Sequence, residues 1–233
     1  MKLLAIETSG DACSAALLDD ESIISRFRIA PRQHADILLP MLDELFHESG
    51  LSMSQLDGLA VGRGPGAFTG LRIATGVVQG LAFSADLPVA LISTLTAMAQ
   101  RGFRELGAQQ VMAGFDARLN EVYWSACRLN DEGIMTPVDG EQVCVPERVP
   151  LPDSGADSGE WLGLGSAWSS YADVLSQRLG EYCGQWHEDY CPHAHDIAVL
   201  GRQAFSLGEV VSAEAVQPVY LRDNVAEKPG TAA

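Results

Sequence analysis

The run Gly62–Arg72, GRGPGAFTGLR, constrains this chain more than any other stretch. A short apolar strand, Leu59–Val61, feeds a loop holding Gly62, Gly64, Pro65 and Gly66. The loop opens onto a helix expected to start near Thr69, whose hydroxyl suits an N-cap. Glycines supply the positive φ angles and close backbone approach that such a bend needs, and successive amides at a helix N-terminus form a weak anion site. The chemistry of a phosphate loop is nevertheless missing. A Walker loop places Lys-Ser/Thr directly after its last glycine, and this run holds no lysine. The dinucleotide pattern G-x-G-x-x-G fails too, because the glycines fall at Gly62, Gly64, Gly66 and Gly70. The residues leave two readings, a structural turn and an anion contact. Strand-to-helix glycine turns mostly serve geometry, which favours the first.

Around this run the pattern is α/β. Lys2–Thr8 reads as a buried strand, followed by a tight turn at Ser9-Gly10-Asp11 and by strands Cys13–Leu18 and Ile23–Ile29. Ile37, Leu38, Met41, Leu42, Leu45 and Phe46 recur at helical spacing, and Pro40 is expected to kink that helix or mark its start. The helix Thr69–Ala85, a strand Pro88–Ile92 and a helix Thr94–Leu106 follow the glycine turn. Three strands, helix, strand, helix, strand is the order of a mixed ribonuclease-H-like sheet.

The second half begins in the same way, with Val111–Phe115 ended by Asp116, a short turn, and an alternating strand Glu121–Leu129. Aligning Glu7 with Asp116 makes it a duplicated lobe. Pro146–Glu160 reads as a long surface loop, Trp161–Gly165 as a strand, and Trp168–Leu179 and Ala194–Gly208 as helices. The expected organisation is a first lobe over 1–106, a smaller second lobe over 107–225 and a frayed tail over 226–233.

Charge narrows the function classes. Fifteen basic against 31 acidic residues give a net charge of -16. Nucleic-acid affinity comes mainly from cations neutralising phosphates, so RNA would reach such a chain only through a partner. Five cysteines without a C-x-x-C pair argue for a reducing compartment. The opening MKLLAIETSG reads as too short in its apolar run for a signal peptide. The helix Thr69–Ala85, interrupted by Arg72, falls short of the roughly 20 apolar residues that span a bilayer. A soluble cytoplasmic protein without membrane association is expected.

Catalytic readings find little support. Phosphoryl transfer would use Glu7-Thr8-Ser9-Gly10 and Asp116-Ala117-Arg118-Leu119-Asn120 as phosphate loops. The first retains Gly10, while the second has no glycine to bring amides onto phosphate oxygens. No helical H-x-x-x-H pair exists: His34 is followed four residues later by Leu38, and His47 has no histidine partner. The polar group His187, Glu188, Asp189, Cys191, His193, His195 and Asp196 matches no zinc spacing and reads as the entry loop of the last helix. No G-x-S-x-G elbow occurs. No catalytic, cofactor or metal residue is assigned, with weak or shared ATP binding left open.

A binding surface is the stronger reading. The helix TGLRIATGVVQGLAFSA is strongly polar only at Arg72 and Gln79, and a helix apolar nearly all round is buried on more than one side. Gly76, Gly80 and Ser84 fall at intervals of four and leave a shallow stripe for another helix. The candidate interface is Leu38, Leu42, Leu45 and Phe46 on the earlier helix, with Thr69, Leu71, Arg72, Thr75, Gly76, Val78, Gln79 and Ala82 on this one. Two ordinary core helices are the alternative.

LAIETSGDACSAAL, RQHADILLPML, VGRGPGAFTGLRIATG, FDARLNEVYW and the terminal PVYLRDN together resemble the bacterial TsaB (YeaZ) family over nearly the whole chain. One departure is Ala67, where the family more often has serine. The resemblance implies a two-lobed ASKHA fold, the actin, sugar-kinase and Hsp70 ATPase type, built from duplicated ribonuclease-H-like lobes. It implies a non-catalytic scaffold in making threonylcarbamoyladenosine beside the anticodon of tRNAs that read codons starting with A. The implied partners are the metal-bearing paralogue TsaD, which transfers the threonylcarbamoyl group, and the ATPase TsaE. The two N-lobe helices would dock on TsaD, and the same helices could form a homodimer. The rival is a nucleotide-binding ATPase or kinase-like enzyme of the same fold.

Overall fold

The computed structural model describes residues 1–152 and 160–222. The expected tail over 226–233, and the middle of the loop expected at Pro146–Glu160, lie outside the described residues. Three antiparallel strands open the chain, β1 (Lys2–Glu7), β2 (Ala12–Asp19) and β3 (Ser22–Ile29). After α1 (His34–Ser49) come β4 (Gly58–Gly64), α2 (Phe68–Ala85), β5 (Val89–Ser93) and α3 (Thr94–Leu106). The sheet order is β3-β2-β1-β4-β5, with β4 and β5 parallel to β1 and to each other.

Alternation along β1 explains its layers. Leu4 and Ile6 face α1 and α2 beside Leu17, Leu59 and Val61. Leu3 and Ala5 face the opposite side beside Leu18 and Ala60. Both faces are covered, so the strand is apolar from Leu3 to Ile6 rather than alternating with polar residues.

The second sheet repeats this plan. It uses β6 (Gln110–Arg118), β7 (Glu121–Leu129), β8 (Met135–Pro137), β9 (Gln142–Cys144), β10 (Leu162–Leu164) and β11 (Gln185–His187), with α4 (Ser166–Leu179) between the last two. Its order, β11-β10-β6-β7-β8 with β9 also on β7, matches the first sheet when β6 stands for β1. Strand directions match as well: β6/β7 and β7/β8 are antiparallel, and β6/β10 and β10/β11 are parallel. This duplication makes the molecule a two-lobed α/β fold of the ASKHA type. Glu7 and Asp116 sit near the ends of corresponding strands.

The boundary between lobes is less simple than a cut after residue 106. α3 follows the first sheet but packs Leu95, Met98 and Ala99 against Val111, Ala113 and Cys127 of the second. Conversely, α5 (Ala194–Leu207) follows the second sheet and places Ile197, Ala198 and Ala204 on the first. Each lobe thus lends the other a covering helix. Arg104 on α3 clamps Asp196 on α5 through two bonds of 2.9 and 2.8 Å, with the Asp196 side chain 1% exposed. Beyond α5, Val211 bridges to Val89 and Val216 enters the core beneath α2.

Three local expectations are corrected. α1 begins at His34 and runs through Pro40 rather than starting there. α2 begins at Phe68 with Ala67 as its N-cap and no side-chain cap bond, so Thr69 is not the cap. β4 extends to Gly64, which confines the bend to Pro65–Ala67.

Candidate functional site

The spacing of the glycine run answers to the turn after β1. A Cβ on Gly62 would lie 1.8 Å from Glu7 Oε2, one on Gly66 2.5 Å from the Ser9 carbonyl oxygen, and one on Gly70 1.9 Å from the Thr8 carbonyl oxygen. Two hydrogen bonds hold the contact: Ala67 N–H donates to Ser9 O at 2.6 Å, and Thr8 Oγ1 donates to Gly70 O at 2.7 Å. Side chains at Gly66 and Gly70 would push the turn after β1 away from α2 and the bend before it, and one at Gly62 on β4 would displace the Glu7 carboxylate. Geometry therefore accounts for all four glycines that resemble a phosphate loop, since Gly64 has φ of 109° and a Cβ there would lie 2.9 Å from the Val219 carbonyl oxygen. Glu7 is 1% exposed, and burial pushes its carboxyl up to about 7 although Ser9 N–H donates to Oε1. Its Oε2 has no partner among the described residues.

Between the lobes lies a cleft of about 770 Å³. Its walls include the β1–β2 turn, Gly66–Phe68, the end of β6, the start of α4 and the stretch Glu188–Pro192. Both sequence-predicted phosphate loops meet here. The second one is built unlike a phosphate loop: Arg118, Leu119 and Asn120 adopt φ of 65, 55 and 59°. Asp116 organises that turn by accepting from Arg118 N–H at 2.8 Å and, more weakly, from Ser170 and Tyr171 hydroxyls. Asp11, Asp116, Glu188 and Asp189 line the cleft against one cation, Arg118, which pairs with Asp116 at 3.2 Å. Such a lining repels a polyphosphate.

The group from His187 to Asp196 is dispersed by the fold. Asp196 belongs to Arg104, and His193 stacks on Phe27 at 4.9 Å while its Nδ1 accepts from His195 N–H at 2.9 Å. Burial and the neighbouring Arg101 and Arg104 push His193 down to about 3. Among the described residues no group of three or more His, Cys, Asp or Glu is set to hold a metal ion. Burial also pushes the Cys13, Cys127 and Cys183 thiols up to about 11, which keeps them protonated and poorly nucleophilic. Among the described residues no helix is long and apolar enough to cross a membrane.

The candidate interface residues separate into two sets. Leu38, Leu42, Leu45, Leu71, Thr75, Val78 and Ala82 are buried by the chain itself, five of them in one core cluster with the first sheet, Ala213 and Val216, so they are not open surface. Thr69, Arg72 and Gly76 are exposed, and Phe46 and Gln79 are half-buried. The outer face of α2 is instead Arg72, Gly76, Gly80 and Phe83, with Phe83 74% exposed and Leu39 of α1 53% exposed. A Cβ on Gly76 or Gly80 would meet nothing within 4 Å. Leu39, Phe68, Gly80 and Phe83 lie outside the candidate interface, although the phase of Gly76 and Gly80 along α2 carries the signal for Phe68 and Phe83.

The C-terminal segment also escaped sequence reasoning. Val219 N–H donates to Arg63 O at 2.8 Å, and Gln79 Nε2 donates to Val216 O at 2.8 Å. Arg222 then reaches the second lobe, donating to Glu121 and to Arg118 O. The end of the described chain ties α2 to the β6–β7 turn.

Comparison with known proteins places this geometry. The family described as TsaD, tRNA N6-adenosine threonylcarbamoyltransferase, matches residues 27–229. An Escherichia coli protein named tRNA threonylcarbamoyladenosine biosynthesis protein TsaB is 41% identical over 98% of this chain and 97% of its own length. A Haemophilus influenzae protein of the same name is 38% identical over 98% and 96%. The crystal structure of YeaZ from Pseudomonas aeruginosa, 44% identical, superposes with a TM-score of 0.87 over 94% of this chain and 99% of that one. Another Pseudomonas aeruginosa structure, described as an uncharacterised protein similar to the peptidase YeaZ, gives 45% identity and a TM-score of 0.88 over 95% and 99%. The chain belongs to the TsaB family of tRNA threonylcarbamoyladenosine biosynthesis proteins.

Proposed function

We propose that this chain is a non-catalytic scaffold that docks the outer face of α2 on a TsaD-type paralogue and holds it in an active arrangement. The paralogue, with a TsaE-type ATPase, transfers the threonylcarbamoyl group to the adenosine beside the anticodon of tRNAs reading codons that begin with A. The observation that carries this reading is the open stripe of Gly76 and Gly80, continued on the same helix face by exposed Phe83. Contiguous exposed apolar surface of this kind marks interaction sites, and glycines permit a partner helix to approach closely. The acidic cleft and the protonated thiols favour a role without chemistry in this subunit. The charge of -16 favours tRNA contact through the partner alone. Without that partner, the same face can pair two copies of the chain.

The test uses the double variant Gly76→Arg/Gly80→Arg, since charges at Val78 or Leu42 would break the core instead. The variant should melt like the unaltered chain, yet give no complex with the TsaD-type protein by light scattering and no modification in the reconstituted reaction. Full complex formation and activity would refute the interface. The cleft is large enough to favour one rival, a nucleotide-handling enzyme. Titration calorimetry with ATP and magnesium, followed by a turnover assay on the isolated chain, separates that rival from the scaffold.

A further inference from the structure

Arg72 is the one charged side chain in the 18 residues of α2. Its guanidinium carbon lies 3.6 Å from the centroid of the Phe68 ring, and its Nε donates to the Tyr220 hydroxyl at 3.2 Å. Phe68 and Tyr220 pack on each other with centroids 5.5 Å apart, and both remain substantially exposed, at 53% and 43%. Among the described residues, neither terminal nitrogen of Arg72 has a hydrogen-bond or ion-pair partner. The other arginines met by the cleft and the C-terminal segment are committed: Arg63 to Glu141 at 2.9 Å, Arg118 to Asp116 at 3.2 Å and Arg222 to Glu121. In a chain with twice as many acids as bases, a guanidinium whose terminal nitrogens meet no acid among the described residues is out of keeping with its surroundings.

Stacking fixes the guanidinium plane, and the Nε bond fixes its rotation. The terminal nitrogens therefore present a planar fork whose conformational freedom is already reduced. We propose that Arg72 is a preorganised anchor for a single carboxylate on the TsaD-type partner, with Phe68 and Tyr220 as its backing. This rests on the docking reading above. A carboxylate fits better than a nucleic-acid phosphate. Phosphate backbones are bound by several cations acting together, whereas Arg72 stands among Ile73, Gly76 and Val77, with no second unpaired guanidinium at this edge. Arginine and tyrosine in a largely apolar patch are also the residues that dominate protein interfaces.

Titration calorimetry of the full chain against the purified TsaD-type protein tests the proposal at two salt concentrations. Arg72→Ala and Arg72→Lys should each weaken binding by about tenfold or more, because lysine keeps the charge but loses the fork. Tyr220→Phe should weaken it by about threefold, and all three variants should melt like the unaltered chain. Alanine substitution of the partner's acidic residues should reveal one carboxylate whose loss is not additive with Arg72→Ala. Binding by Arg72→Lys within about twofold of the unaltered chain, or no coupled carboxylate, would overturn the anchor. If Gly76→Arg/Gly80→Arg abolishes binding while the Arg72 variants do not weaken it, the anchor fails and the docking reading stands. If the unaltered chain does not bind, both fall together.

Discussion

The two lobes share a strand order but treat the turn after their first strand in different ways. After β1, the backbone at Thr8 and Ser9 is pressed against α2 and the bend before it, and positions 62, 66 and 70 have no room for a side chain. After β6, no glycine is present, and Arg118, Leu119 and Asn120 pass through the left-handed region under the hold of Asp116 and Arg222. In related architecture, two such turns can grip a phosphate chain from opposite sides by offering backbone amides. Here one turn is sealed by backbone contact and the other projects side chains. The comparison teaches that one strand order can be kept while the turns after its two first strands are built in different ways.

The sealed turn gives the largest expected effect. Gly70→Ala places a methyl 1.9 Å from the Thr8 carbonyl oxygen, a backbone atom that cannot swing aside. Overpacking at a rigid site costs typically about 1–3 kcal/mol, and the upper end or beyond is expected here. Gly76→Ala is the control, because its methyl meets nothing and a helical alanine gains about 1 kcal/mol over glycine. Urea denaturation of the two variants should therefore move in opposite directions. Equal midpoints would break the claim that the glycine run serves packing against β1.

Glu7 gives an intermediate effect that sharpens the same comparison, since Asp116 in the second lobe is hydrogen-bonded at both oxygens whereas Glu7 Oε2 is buried without a partner among the described residues. Burial raises the folded-state value of Glu7 from 4.5 to about 7. The folded chain thus holds a proton that the unfolded chain releases between those values. The Glu7 contribution is fully present below pH 4.5 and is lost as pH rises through about 7, at up to about 1.4 kcal/mol per unit. Glu7→Gln should remove that component of the slope, leaving the variant relatively more stable at pH 7.5 than at pH 5. An unchanged pH profile of stability would show that Glu7 ionises as easily in the fold as out of it.

Much of the fold was legible because its signals are local. Thr94–Leu106 and Glu121–Leu129 have the ends their spacing predicts. The duplication followed from repeated strand, acid and turn. The three-residue strands β8, β9 and β11 went unread, being too short to show a period. The site was less legible, for a different reason. Periodicity reports that α2 is apolar on several sides, but not that Val216, 138 residues after Val78 in sequence, closes the core beneath it. Seven of the candidate interface residues are buried within the chain itself. Likewise, the glycine spacing imitates a phosphate loop because Thr8 and Ser9, the atoms it accommodates, lie more than 50 residues upstream.

The smallest effect concerns where each lobe keeps its glycine. Register pairs Arg118 with Glu121, which leaves Leu119-Asn120 as a two-residue hairpin loop with both φ positive. That is the geometry in which asparagine and glycine are favoured. Asn120 is suited to it; Leu119, 74% exposed and at φ 55°, is not. Leu119→Gly removes about 1–2 kcal/mol of left-handed strain and adds about 0.5–1 kcal/mol of unfolded-state entropy, so a net gain near 0.5 kcal/mol is expected. In the first lobe Gly10 has no positive φ, and a Cβ there meets nothing within 4 Å. Gly10→Ala should accordingly stabilise by about 0.4–1 kcal/mol through the unfolded chain. Both substitutions raising the denaturation midpoint would mean that one lobe carries a glycine its turn does not require while the other lacks the one its turn would favour. Such a pattern fits turns no longer shaped around a phosphate. A loss of stability on Gly10→Ala would return the β1 turn to a backbone constraint of its own.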